Sequence, residues 1–121
     1  MNKPQTLNYF WRTATGLEAY AEEAVPDDAQ LPYVTYQTLV DSLDYQVSPL
    51  ATIWERSESW NGSDRVLKKV EDYIGTGVTI KMDEGYMFVC KGSPFAQRRV
   101  DPEDRLVHGY LITLQLEFLS N

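Results

Sequence analysis

From Val107 to Leu119 the chain alternates almost without fault. Tyr110, Ile112, Leu114, Leu116 and Phe118 share one side, and Leu111, Thr113, Gln115 and Glu117 share the other. Successive side chains of a strand point to opposite faces, so this period of two predicts one long strand that meets helices on one side only. Such a strand needs neighbours in a sheet and a helical layer over its apolar row.

Two further stretches supply neighbours. In Leu31–Val40, Pro32 precedes a run in which Tyr33, Thr35, Gln37 and Leu39 face one way and Val34, Tyr36, Thr38 and Val40 the other. Proline cannot donate to a ladder, so it suits the start of a strand. Pro49 to Ser57 resumes the alternation, Leu50, Thr52 and Trp54 against Ala51, Ile53 and Glu55, and the two runs are expected to pair antiparallel across the polar connector Asp41–Ser48. A sharp hairpin is expected later, with Val78, Ile80 and Met82 going out, Asp83-Glu84-Gly85 turning, and Tyr86, Phe88 and Cys90 returning.

Helical spacing appears twice. Leu7, Phe10, Trp11 and Ala14 form one stripe between Asn2 and Thr15, with Pro4 in the first turn and Gly16 at the stop. Val66, Leu67, Val70, Tyr73 and Ile74 form a second, with Ser63 as the expected N-cap, Asp64 near the positive end of the dipole, and Gly75 and Gly77 at the exit. Leu17–Ala24 reads as helix by propensity and as a short edge strand by the break at Gly16; the strand is preferred. Lys91–Leu106, with Gly92, Pro94, Pro102 and mixed charge, is expected to be a long exposed loop. The fold class is therefore α+β: a single domain over residues 1–121, with a mixed or antiparallel sheet and two helices packed on one face.

Chemistry is sparse. The one histidine, His108, has no serine, cysteine or carboxylate pattern framing it. Asp41 and Asp44 offer too few oxygens for a hard cation. The single cysteine, Cys90, excludes an intrachain disulfide and a multi-cysteine metal cage, and its apolar neighbours read it as a small buried hydrophobe. Asn61-Gly62-Ser63 reads as a turn and a cap rather than a glycosylation acceptor. Gly75-Thr76-Gly77 follows a helix, the wrong order for a phosphate cradle. No catalytic, cofactor or metal residues are assigned, and an enzyme is not expected. The net charge of −7 argues against nonspecific nucleic-acid binding, which needs clustered Lys and Arg. No stretch is apolar for the ~18 residues that a membrane span needs, so a cytoplasmic protein, or one packaged from the cytoplasm, is expected.

Val25-Pro26 followed by Pro32, Tyr33, Val34, Thr35 and Tyr36, in a small chain that opens with a helix, resembles the tail terminator family of tailed bacteriophages. These are also called tail completion, tail-to-head joining or minor capsid proteins. The likeness extends in layout over the second helix, the hairpin and the final strand with Gly109-Tyr110-Leu111-Ile112-Thr113-Leu114. It implies a structural virion protein that caps the tail tube as a homo-oligomeric ring of about six subunits and presents a surface for head joining. The implied partners are other copies of itself, the tail tube protein and the head–tail connector protein. DNA would pass through the lumen without specific binding, and no membrane or cofactor is involved. The place would be the virion tail or neck, assembled in the host cytoplasm. Within the expected loop, Pro94, Phe95, Gln97, Arg98 and Arg99 are the candidate assembly residues, with Phe95 as anchor and the arginines meeting acidic neighbours. The alternatives are another connector or tail tube subunit, or a small cytoplasmic ligand-binding domain or enzyme with a cleft near Tyr33, Tyr36 and His108.

Overall fold

Asn2 opens the first helix by closing a ring of two hydrogen bonds. Its side chain accepts from the Gln5 N–H at 2.9 Å, and the Gln5 side chain accepts from the Asn2 N–H at 3.0 Å. The computed structural model describes residues 1–38 and 46–119. Helix α1 runs Lys3–Thr15, carries Pro4 in its first turn, and buries Leu7, Phe10, Trp11 and Ala14 as their spacing requires. Gly16 ends it in the left-handed region.

Among the described residues seven strands follow in one mixed sheet: β1 Glu18–Ala21, β2 Tyr33–Tyr36, β3 Gln46–Val47, β4 Leu50–Arg56, β5 Val78–Met82, β6 Gly85–Val100 and β7 Val107–Leu119. The order is β1-β2-β4-β7-β6-β5, with β3 paired to the far end of β7. Among the described residues β1 and β2 pair parallel and the other pairs are antiparallel. Leu17–Ala24 thus contains the edge strand preferred over a helix. Leu39, Val40, Asp41 and Asp44 lie outside the described residues.

Both helices cover one face. Beneath them runs a continuous row, Ala19–Val34–Ile53–Tyr110, in register across four strands, and a second row, Tyr36–Ala51–Ile112. Ile112, Leu114 and Leu116 of β7 are fully buried among them, as the alternation demanded. The opposite face carries Tyr20, Tyr33, Trp54 and Leu111, all half-buried. Cys90 is half-buried rather than enclosed: it stands opposite Gln115 on that helix-free face.

Gly109 shows how tightly β7 lies on β4. A Cβ there would stand 1.6 Å from the Ile53 carbonyl oxygen, so only glycine permits the approach.

Two expectations are corrected. Lys91–Leu106 is not a long loop: β6 continues to Val100, and only the short turn Asp101–Leu106 separates it from β7. A bulge between Lys91 and Ala96 absorbs Pro94, which has no N–H to give the ladder, and pairing with β7 resumes from Ala96 to Val100. The turn is closed by Asp101 N–H to the Val107 carbonyl at 2.9 Å and Val107 N–H to the Asp104 carbonyl at 3.0 Å. Nor is Ser63 the N-cap of the second helix. Helix α2 spans Asn61–Ile74, with Trp60 at the cap position, three residues before Ser63. Ser59 Oγ takes the Asn61 N–H at 3.1 Å, so an upstream serine does the work assigned to Ser63. Ser63 lies in the first turn, buried, with its hydroxyl unpaired among the described residues. Asp64 sits in the first turn as expected. No helix among the described residues is long and apolar enough to cross a membrane.

Candidate functional site

The polar side chains converge where β4, β7 and β6 meet the start of α2. His108 opens β7 and is buried because its register partners, Glu55 and Val100, flank it on the helix-covered face. Its Nε2 lies 3.1 Å from the Ser59 carbonyl oxygen and 3.4 Å from Glu55 Oε1. Trp60 stacks on the imidazole at 4.1 Å between centroids, and meets the Tyr110 ring edge-on at 5.7 Å. The Arg98 guanidinium lies over the other aromatic surface, 4.4 Å from the Trp60 centroid.

Tyr110 donates its hydroxyl to Asp64 Oδ1 at 2.5 Å. That bond to a carboxylate, aided by burial, pushes the Tyr110 pKa above its ordinary value, with Arg98 opposing. The cluster is aromatic and hydrogen-bonded, and it ties β6, β7 and α2 together. His108 therefore has a packing and hydrogen-bonding place, and no Ser or Cys nucleophile is positioned against it among the described contacts. Among the described residues no group of three or more His, Cys, Asp or Glu side chains is arranged to hold a metal ion.

The cleft imagined near Tyr33, Tyr36 and His108 does not form. Tyr33 stands on the helix-free face, packed edge-on against Tyr20 at 5.7 Å. Tyr36 is on the helix-covered face and accepts from Asn8 Nδ2 at 2.8 Å. In register it lies with Ala51 and Ile112, four residues along β7 from His108, about 13 Å away. A shallow open cleft of about 450 Å³ lies instead beside Pro32, Glu55, Arg56, Ser59 and Arg65.

The candidate assembly residues occupy one stretch of β6. Gln97, Arg98 and Arg99 are exposed, Pro94 is exposed in the bulge, and Phe95 is half-buried with Lys91 Nζ 5.3 Å from its ring. Their backbone belongs to the ladder, because Gln97 pairs with Leu111, Arg98 with Tyr110 and Arg99 with Gly109. On its other side β6 is paired by β5 only from Gly85 to Val89. The distal half is therefore an open sheet edge among the described residues. The Tyr33–Tyr36 part of the signature is β2, with Pro32 exposed just before it.

Sequence reasoning missed Trp60, Glu55 and Asp64 as members of one cluster. Tyr110 was legible as an inward residue, but nothing in the spacing of the others marks their convergence.

No protein-family model and no curated protein matches the sequence.

Proposed function

We propose that this chain is a structural virion protein that assembles as a closed ring on the end of a phage tail tube and offers a surface for head joining. The observation that supports it is the open distal edge of β6, Ala96–Val100, carrying Arg98 and Arg99 on a sheet whose second face has no helices. An exposed strand edge is a template on which another chain can pair. The likeness of Pro32–Tyr36 and of the element order to tail terminators supplies the direction of the reading. The partners in it are further copies of the chain, a tail tube protein and a head–tail connector, and DNA passes through without specific binding. The place of action is the virion neck.

Polymerising tail tubes in the presence of the protein tests it. Tube growth should stop with a single added ring at the tip. Phe95→Ala combined with Arg98→Ala and Arg99→Ala should abolish capping while leaving the fold intact. Tubes that lengthen by adding this chain would instead identify a tube subunit.

A further inference from the structure

The outer, helix-free face contains one row that spans five strands in register: Glu18 on β1, Tyr33 on β2, Trp54 on β4, Gly109 on β7 and Arg99 on β6. A carboxylate ends this row at one edge of the sheet and a guanidinium ends it at the other. Four strand spacings, about 19 Å, separate them, so the two charges cannot meet within one chain. Among the described residues no strand lies beyond β1, where the Ala19 and Ala21 carbonyls accept from Asn8 Nδ2 and the Ala24 N–H, and none lies beside β6 beyond Val89. After β1, the connection from Glu22 to Pro32 returns one backbone hydrogen bond to β1 among the described residues, Ala24 N–H to the Ala21 carbonyl. At the other edge β5 stops pairing at Val89.

We propose that the Ala96–Val100 edge of one copy docks antiparallel on the Glu18–Ala21 edge of the next, with Arg99 opposite Glu18. This inference rests on the ring reading above and names the contact that closes it. Strand direction supports it. The pairings make β1 and β6 run in opposite senses, so copies related by rotation about an axis along the strands present an antiparallel junction. The same register sets Gln97 opposite Tyr20, and Arg98 opposite the small Ala19 on the inner face.

Charge selects this partner over the alternative. Two β6 edges meeting across a twofold would oppose arginine to arginine. The β1 margin instead offers Glu18, Glu22, Glu23, Asp27 and Asp28, all exposed. Within one chain, Glu18 pairs with Arg12 among the described residues, at 3.1 Å, on the surface, and such an exposed pair is readily exchanged. Asn8 Nδ2 occupies the Ala19 carbonyl at 3.1 Å, which makes this a short junction. One patch meets a different patch, the heterologous contact from which rings are built.

The test uses charge reversal and cross-linking. Arg99→Glu and Glu18→Arg should each reduce the weight-average mass about sixfold, from ring to monomer, and the doubly substituted chain should regain the ring. In a Cys90→Ser background, Glu18→Cys with Arg99→Cys should oxidise to a covalent ladder of subunits, whereas either cysteine alone should not. Thermal melts confirm that each variant is folded. Rings that persist in both reversals, with no ladder, would overturn this contact and leave the ring reading standing. A wild-type chain that is monomeric at every concentration would overturn both.

Discussion

The Tyr110 hydroxyl donates to Asp64 Oδ1 at 2.5 Å, joining the β7 end of the helix-facing row Ala19–Val34–Ile53–Tyr110 to the first turn of α2. The Tyr110 ring meets Trp60 edge-on, and the Arg98 guanidinium lies over the Trp60 ring. The segment read as an assembly edge therefore rests directly on the cluster that fixes α2 to the sheet.

Removing that hydroxyl should be felt. Tyr110→Phe leaves the ring packing in place but loses a hydrogen bond to a carboxylate, at a cost of about 1–2 kcal/mol. Urea denaturation measures it, and an unchanged midpoint would contradict the assignment.

The same bond predicts an alkaline effect. Tyr110 and Tyr73 both have raised pKa values in the fold, Tyr110 first through Asp64 and Tyr73 first through burial. A group whose folded pKa is raised contributes stability that is complete below its unfolded value and lost as pH climbs through the folded one. Stability should therefore decline above pH ~10, and Tyr110→Phe should decline less steeply over that window. Thermal melts from pH 8 upward distinguish the two slopes.

Ser63 separates two accounts of the α2 start. As an N-cap its replacement by alanine would cost about 1 kcal/mol. As a buried, unpaired hydroxyl it should be replaced without loss, or with a gain of up to about 1 kcal/mol, because its desolvation is uncompensated. Denaturation of Ser63→Ala decides, and a clear loss would favour the cap.

Glycines 109 and 16 should differ sharply. Gly109→Ala drives a methyl into the Ile53 carbonyl and should cost more than about 4 kcal/mol, seen as loss of soluble folded protein. Gly16→Ala meets nothing within 4 Å and carries only the strain of its positive φ, about 1 kcal/mol. Similar stabilities for the two would contradict the packing of β4 on β7.

What was legible in the sequence was whatever has one dry side and one wet side. Leu7, Phe10, Trp11 and Ala14 marked α1, and Tyr110 to Phe118 marked β7, because burial on a single face leaves a period. The distal half of β6 has no such period. Gln97, Arg98 and Arg99 are exposed, Pro94 sits in a bulge, and its strand conformation comes from β7 rather than from its own residues. Its composition therefore resembles a loop. The start of α2 was misplaced for a related reason: Trp60 is held by stacking on His108, a contact between positions far apart in the chain that local capping preferences do not contain. The candidate assembly residues stand out in the sequence by an expected long loop and by the mixture of Phe95 with two arginines; that stretch is a strand, and its open edge is visible only in three dimensions.

The most direct test of the ring reading is the mass of the purified chain across concentration by light scattering, with electron microscopy of the same fractions. A single closed ring of about six subunits, with no longer polymer, is the predicted result. A mass that stays at one subunit throughout, or tubes that grow without limit, would contradict it.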